Sequence, residues 1–258
     1  MTSTNELALY LDSVLQTSQI PDYPNALNGL QLENSGHVSC VAAAVDYSLD
    51  VVRKAAAAGS NLLILHHGMF WSGIRPLTGS SREKLKMLLE HDIAVYSSHI
   101  PLDYNATFGN NVLLCRELGL EPSDQFAQFK GIKIGLSGET DIATSDILDR
   151  ARAFAQAHGG DAIAAGKPID GGRTKRWAVC TGAGASSETL AEAVTAGIDT
   201  IVVGEGPHHT AVEASDLGIT IIYAGHYATE TLGVRALAGH LADRFHLESV
   251  LIDSPTGL

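Results

Sequence analysis

The chain has 258 residues, of which 45% are hydrophobic and 18% are charged, so it is long enough to bury a sizeable core in one or two domains. Its formal net charge of −12 argues against a general nucleic-acid-binding protein, which typically carries a basic surface. The same charge gives no long-range attraction for an anionic substrate, so any anion site requires local cations.

The first residues, "MTSTNELALYLDSVLQ", predict an amphipathic helix capped by Ser3 or Thr4 and lack the basic region of a secretory signal. No apolar run approaches the ~18 residues that a membrane span needs. Cys40, Cys115 and Cys180 are widely spaced, which predicts buried thiols rather than disulfides or zinc ligands. We therefore expect a cytoplasmic protein with no membrane partner.

An internal repeat organises the chain. Residues 44–68 resemble residues 182–206 when Gly59 is aligned with Gly197, an offset of 138 residues. Each copy predicts a strand, a helix with a glycine just past its end, a buried strand and a polar turn. The predicted helix N-caps are Ser48 and Ser186.

The resemblance between the two copies continues further along the chain. Residues 92–103 predict a short strand ending in His-x-x-x-Asp, and residues 218–230 predict one ending in His-x-x-x-Glu. Helices are predicted over about 145–157 and over 227–244. Because strands alternate with helices, we expect mostly parallel sheets.

The predicted architecture is α/β, with two related halves, 1–125 and 126–258, facing a shared cleft and with no inserted extra domain. Residues 181–186, "TGAGAS", predict a tight strand-to-helix turn rather than a cofactor loop, because the full GxGxxG pattern is absent.

Polar side chains follow the predicted buried strands. Histidine and carboxylate ligands suit divalent zinc, manganese or iron. Two ions that share only five protein ligands keep open coordination positions, which is typical of catalytic sites rather than structural ones. The five candidate metal ligands are His66, His67, Asp103, His226 and Glu230.

Further polar residues lie near the same strand ends. His99 pairs with Asp103 as His226 pairs with Glu230, so by duplication it could be a metal ligand, but a role beside the metal ligands or on the substrate is favoured. Glu205 is a candidate general base, with a structural role as the alternative, and Asp46 is a weaker one. Trp71 and Tyr227 either stack on a substrate ring or pack as walls, and packing is the favoured interpretation.

The same residues carry a family resemblance. The segments "NGLQ", "HHGMFW", "HIPLD", "GEGPHH" and "GHYATE" occur in this order along essentially the whole chain. They resemble the GTP cyclohydrolase 1 type 2 homologue family, also called Nif-three-like dinuclear metal-centre proteins. The resemblance implies two α/β domains, a site for two metal ions and a homo-oligomer, usually a ring of six chains.

By the same resemblance, His67 and Asp103 hold one metal ion, His66 and His226 hold the other, and Glu230 bridges both. The resemblance implies a GTP cyclohydrolase-type reaction on a small, nucleotide-like substrate, and a pair of metal ions that activates water indicates a hydrolase. Glu205 and His99, singled out by their positions in the repeat, are the candidate catalytic residues. The alternative is a non-catalytic metal-binding ring protein, such as a metal chaperone or an assembly factor. Substrate turnover would distinguish the two.

Overall fold

Strands and helices alternate along most of the chain in the computed structural model, which describes residues 2–258. The part up to the first candidate ligands contains β1 (Thr2–Ser3), α1 (Thr4–Leu15), a 3-10 turn (Pro24–Ala26), β2 (Gly29–Leu32), β3 (His37–Val38), β4 (Cys40–Asp46), α2 (Leu49–Ala57) and β5 (Leu62–His67). The middle part contains α3 (Gly79–Glu90), β6 (Ala94–Ser97), α4 (Ile100–Tyr104), α5 (Asn110–Glu117), β7 (Asp124–Phe129), β8 (Ile132–Ala143), α6 (Thr144–Ala157) and β9 (Ile163–Gly166). The last part contains β10 (Arg173–Cys180), α7 (Ser187–Ala196), β11 (Thr200–Val203), α8 (His208–Leu217), β12 (Thr220–Tyr223), α9 (His226–Phe245) and β13 (Glu248–Leu251).

The chain divides into two structural units. The first comprises the residues up to Leu102 together with Gly233–Ser254, and the second comprises Asp103–Leu232 together with Pro255–Leu258. The predicted boundary between residues 125 and 126 therefore falls inside the second unit. It differs because α5 packs against β8 and β10 of the second unit, and because β13 pairs with β4 of the first. Asp103, which was expected in the first half, belongs to the second unit.

The sheet of the first unit has the strand order β13-β4-β5-β6-β2. Its first four strands are parallel, and β2 runs antiparallel to β6 at the edge. All six residues of β5 are buried, as expected for a central parallel strand that is covered on both faces. The buried side chains of β4, β5 and β6 pack with α2 and α3 in one hydrophobic cluster that includes Leu63, Leu65, Val95 and Leu88.

The sheet of the second unit has the order β7-β8-β10-β11-β12-β9. The strands β10, β11 and β12 are parallel, whereas β8 and β9 flank them in antiparallel orientation. Hydrophobic clusters lie on both faces of this sheet; Trp177 and Val202 belong to one, and Ile201 and Val203 to the other. The α/β class and the absence of an inserted domain are thus confirmed, although this sheet is more mixed than the alternation of elements suggests.

Three predicted helix caps are present. The Ser3 hydroxyl accepts a hydrogen bond from the backbone N–H of Glu6, and Ser48 and Ser186 cap α2 and α7 through the N–H of the third residue that follows each of them. Gly197 ends α7 in the left-handed conformation with φ of 67°, which glycine adopts without a Cβ penalty. No helix within residues 2–258 is long and apolar enough to cross a membrane.

All three cysteine thiols are buried, so we expect the native protein to resist thiol reagents. Burial raises the pKa of Cys115 to about 12; burial, with the nearby charges of Asp103, Glu230 and Glu192, does the same for Cys180. Because the thiolate is the reactive form, labelling with 5,5′-dithiobis(2-nitrobenzoate) should be at least about tenfold slower in native protein than in denaturant, where all three thiols react. A thiol that reacts rapidly in the native state would contradict this expectation.

Candidate metal centre

Two imidazoles converge at the end of β5. Neighbouring side chains in a strand ordinarily point to opposite faces, and yet the ring centroids of His66 and His67 lie only 4.8 Å apart. The strand ends at His67 and the chain turns at Gly68, which brings both rings to the same side. His66 is fully buried and His67 is 6% exposed.

Each of these imidazoles is oriented through its Nδ1 atom. His66 Nδ1 lies 2.9 Å from the carbonyl oxygen of Ser98, and His67 Nδ1 lies 2.8 Å from Oδ1 of Asp46. A carbonyl and a carboxylate can only accept, so Nδ1 donates in both cases, and Nε2 carries the lone pair whenever the ring is neutral. This is the arrangement found for metal-binding histidines, in which the second ring nitrogen is held by a carboxylate or a carbonyl.

A third imidazole completes the cluster in the first unit. His99 follows β6, and its ring centroid lies 4.9 Å from that of His66 and 5.5 Å from that of His67. One ring nitrogen from each of the three histidines lies within 4.8 Å of the others. The three imidazoles therefore form a buried group that is able to bind a metal ion.

Asp22 holds His99 in place. Its Oδ1 accepts from His99 Nδ1 at 2.9 Å, and its Oδ2 accepts from Asn28 Nδ2 at 2.8 Å. Burial by itself would raise the pKa of Asp22, but the hydrogen bond and charge of His99, with the bonds from Asn28 and the backbone of Tyr23, hold the pKa below its ordinary value. The Asp22 carboxylate thus stays ionised beside the histidine cluster.

The "NGLQ" segment supports the turn after β5. Gln31 Oε1 accepts from the backbone N–H of Met69 at 2.7 Å, and Asn28 Oδ1 accepts from the N–H of His99 at 2.8 Å. A Cβ atom on Gly68 would collide with the Gln31 side chain and also with the Cβ of Ser97, which cannot move aside easily, so this close approach requires glycine. The "NGLQ" segment, which contributes to the family resemblance, therefore fixes the backbone around the histidines through hydrogen bonds.

Trp71 forms a wall of the cluster. Its ring stacks on His67 with a centroid distance of 4.8 Å and an angle of 24°, and its centroid lies 4.3 Å from that of His99. This packing agrees with the favoured interpretation of Trp71. Tyr227 is likewise buried, at 5% exposure, and its backbone N–H donates to the carbonyl of Leu258.

In the second unit, one imidazole lies between two carboxylates. His226 begins α9 and Glu230 follows one turn later, with His226 Nε2 3.1 Å from Glu230 Oε2. Glu205 lies in the turn after β11, and its Oε1 is 2.8 Å from His226 Nδ1. The predicted general base Glu205 thus contacts His226 as a positioning group does.

The charge balance around His226 favours a cation. Burial would lower the pKa of His226, but hydrogen bonds and charge from Glu230 and then from Glu205 outweigh it and raise the pKa to about 9. Glu230 is only 2% exposed, and a buried carboxylate requires a compensating positive charge. A metal ion at this position would replace the proton on His226 Nε2 and would supply the positive charge instead.

A glycine turn makes room for the Glu230 carboxylate. Gly182 follows β10 with φ of 62°, and a Cβ atom there would overlap Oε1 of Glu230. Its N–H donates to Thr229 Oγ1 at 3.1 Å, and its carbonyl accepts from the N–H of Glu205 at 2.8 Å. The predicted strand-to-helix turn over residues 181–186 is confirmed. Through the hydrogen bond from Gly182 to Thr229, it also links the end of β10 to the first turn of α9.

Asp103 is held by neutral donors in the second unit. Its Oδ1 accepts from Asn110 Nδ2 at 2.7 Å and from Thr181 Oγ1 at 3.3 Å. Asn111 donates to the Asp103 carbonyl at 3.2 Å and accepts from the backbone N–H of Thr181 at 2.9 Å. These uncharged donors fix the position of the Asp103 side chain within the second unit.

The donor set fits a divalent ion of the zinc, manganese or iron type, for which imidazole and carboxylate are the usual protein ligands. Sequence reasoning placed the histidines and carboxylates at strand ends but missed Asp22, Asn110 and Asn111, for which no local pattern exists. The two histidines of the "GEGPHH" segment, His208 and His209, are exposed at the start of α8, unlike the buried histidines of the cluster.

The whole chain, including every segment of the site, matches one family. A family model described as Duf34/NIF3 (NGG1p interacting factor 3) covers residues 2–256. The chain belongs to the DUF34/NIF3 family. This finding confirms the resemblance that the five sequence segments indicate.

Relatives in the DUF34/NIF3 family have nearly the same length as this chain. A protein of Pyrococcus abyssi is 39% identical, and the match covers 98% of both chains. A protein of Deinococcus radiodurans is 35% identical, with 98% of this chain and 94% of the relative covered. Both carry the name GTP cyclohydrolase 1 type 2 homolog.

Solved structures share the fold over the full chain. The protein ybgI, described as having an unknown function, superimposes with a TM-score of 0.88 at 30% identity and full coverage of both chains. TTHA1606 from Thermus thermophilus gives a TM-score of 0.81 at 34% identity, also with full coverage of both. The DUF34/NIF3 fold is therefore shown for this protein without an added domain.

Proposed function

We propose that the protein is a metal-dependent hydrolase that holds two divalent ions and acts on a small, nucleotide-like substrate. The observation that carries the proposal is the shared arrangement at the strand ends of the two units. In each unit an imidazole has its Nδ1 atom held by a carboxylate, Asp46 for His67 and Glu205 for His226. Such orienting partners raise the basicity of a ligating histidine.

The ligand assignment follows the sequence resemblance. We assign His67 and Asp103 to one ion, His66 and His226 to the other, and Glu230 as the bridge. A carboxylate has two oxygens and can serve both ions, whereas the Nε2 atom of each imidazole serves one. Five protein ligands leave coordination positions for water and substrate, as catalytic sites require.

The surrounding residues position groups and move protons. When bound, the two ions supply Lewis acidity and lower the pKa of water toward neutrality. His99 is our candidate for proton transfer, since Asp22 holds its Nδ1–H and thereby directs the opposite ring nitrogen toward the histidine cluster. Glu205 holds the His226 ring, and Trp71 packs against His67 and His99 and restricts their motion.

The names of the relatives support a nucleotide substrate. GTP cyclohydrolase 1 type 2 homolog is the name of both the Pyrococcus abyssi and the Deinococcus radiodurans proteins. Hydrolysis of phosphoesters or amides would use the same ligand set, so we assign hydrolysis as the reaction class and a small molecule as the substrate. We further propose that the working form is a homo-oligomeric ring, as the family resemblance implies.

The test combines metal content with turnover. We expect up to two divalent ions per chain after reconstitution with zinc, manganese or iron(II), and hydrolysis of at least one substrate from a panel of nucleotides, phosphoesters and amides. The matched control Asp103→Asn keeps the hydrogen-bonding shape but removes the charge, and it should be inactive while remaining folded. Less than about half an equivalent of metal would contradict the two-ion site. Metal transfer to an apo acceptor protein without any turnover would instead support a metal chaperone.

A further inference from the structure

A cavity of about 440 Å³ opens beside His67 in the first unit. The turn that follows β5 forms one wall, and the first turns of α3 form another. Its volume lies within the range of small-molecule binding pockets. The polar and aromatic residues that define its chemistry are Asp46, Tyr47, Trp71, Arg75, Ser81 and Lys84.

Two cationic side chains line this cavity, in a chain whose net charge is −12. Lys84 Nζ lies 3.9 Å from the ring centroid of Tyr47 and donates to the Tyr47 carbonyl at 3.1 Å. Arg75 Nε donates to the carbonyl of Ser72 at 3.3 Å. Among residues 2–258, neither cation forms an ion pair, whereas Arg53, Lys54 and Lys86 all do.

The two cations influence each other. Partial burial lowers the pKa of Lys84, and the positive charge of Arg75 lowers it further. The one carboxylate among the lining residues, Asp46, accepts from His67 Nδ1. Two cationic side chains against one carboxylate leave a local excess of positive charge in the cavity, which an anionic ligand would compensate.

We propose that this cavity binds the phosphate group of a small phosphorylated substrate. The inference rests on the proposed function, because it assigns the cavity as the substrate pocket of the centre to which His67 belongs. A phosphate dianion matches two cations, whereas a carboxylate matches only one. Hydroxyl groups of Ser80 and Ser81, which also line the cavity, supply hydrogen-bond donors of the kind that phosphate oxygens accept.

The test uses three ligands that share one ring and differ in charge: phenyl phosphate, benzoate and phenol. Their affinities for the full-length protein are measured by calorimetry, both as purified and after removal of metal with a chelator. We expect phenyl phosphate to bind at least about tenfold more tightly than benzoate and phenol not to bind. Lys84→Gln and Arg75→Gln should each weaken phenyl phosphate binding about tenfold, the loss of one charge-assisted hydrogen bond.

The matched control is Lys86→Gln, which removes the same charge from α3 outside the cavity and should leave the affinity within about twofold of the wild type. Lys84→Arg keeps the charge and should retain binding, which separates charge from packing on Tyr47. Equal affinities for all three ligands, or unchanged phenyl phosphate binding in both glutamine variants, would overturn the phosphate site even if the protein proved to be a hydrolase. Charge-dependent binding that survives chelation supports the site even if no substrate is turned over.

Discussion

Glu230→Gln is expected to lose at least one metal ion and all metal-dependent turnover while the chain stays folded. The substitution keeps the shape of a side chain that is only 2% exposed, but it removes the negative charge. In the proposed ligand set, Asp103 would remain as the only carboxylate, so the two cations would repel each other with less compensation. Calorimetric metal titration, with circular dichroism to verify folding, measures the effect.

Two further variants provide the metal affinities with which the affinity of Glu230→Gln is compared. His226→Ala should release mainly one ion and leave the other with His67, Asp103 and Glu230. Glu205→Gln removes a carboxylate that contacts His226 through the opposite ring nitrogen, so its effect should stay within the roughly 10- to 100-fold loss of affinity typical of a residue that orients a ligand. If Glu230→Gln binds two ions with near wild-type affinity, or loses less than Glu205→Gln, the bridging assignment is wrong.

Gly182→Ala is expected to impair metal binding at least about tenfold without any change of a ligand. The added Cβ would overlap Glu230 Oε1, so the carboxylate or the turn after β10 must move. Displacing a ligand by even part of an ångström weakens coordination, because metal sites tolerate only small deviations from their preferred distances. The same titration, compared with the wild type, provides the measurement.

A second glycine separates displacement of Glu230 from backbone strain. Gly218 ends α8 with φ of 71°, close to the 62° of Gly182, and has no neighbouring atom within 4 Å of the position of a Cβ. Gly218→Ala therefore carries the same left-handed strain, about 1–2 kcal/mol, and should lower the melting temperature by a few degrees. Its metal affinity should be unchanged. Equal metal affinities in both alanine variants would show that Gly182 does not shape the site.

The elements that local patterns determine were predicted closely. The helix predicted over 227–244 is observed as His226–Phe245, and the helix predicted over 145–157 is observed as Thr144–Ala157. The caps Ser48 and Ser186 act within three residues of themselves, so their signal is contained in the sequence around them. The repeat also located the strand ends, because a buried apolar run that stops at a polar residue is a local feature.

Residues that act over long sequence distances could not be predicted in the same way. Asp22 contacts His99, which lies 77 residues further along the chain, and Asp22 itself follows no apolar pattern. Asn110 and Asn111 occur in the first turn of α5, where asparagine gives no distinctive signal in sequence, and their contacts with Asp103 and Thr181 depend on the packing of the second unit. Tertiary contacts of this kind are specified by the fold and not by the residues on either side.

The pairing of β13 with β4 also bears on the order in which the protein is made. Residues 248–251 complete one edge of the sheet to which β5 belongs, whereas the strands of the other sheet all lie within residues 124–223. During synthesis, the later unit has its whole sheet available while the earlier unit still lacks a strand. Because the strands β4 and β13 are separated by about 200 residues, their pairing closes a long loop and is a late step. The histidines of β5, although synthesised early, thus reach their finished sheet only after residues 248–251 have also left the ribosome.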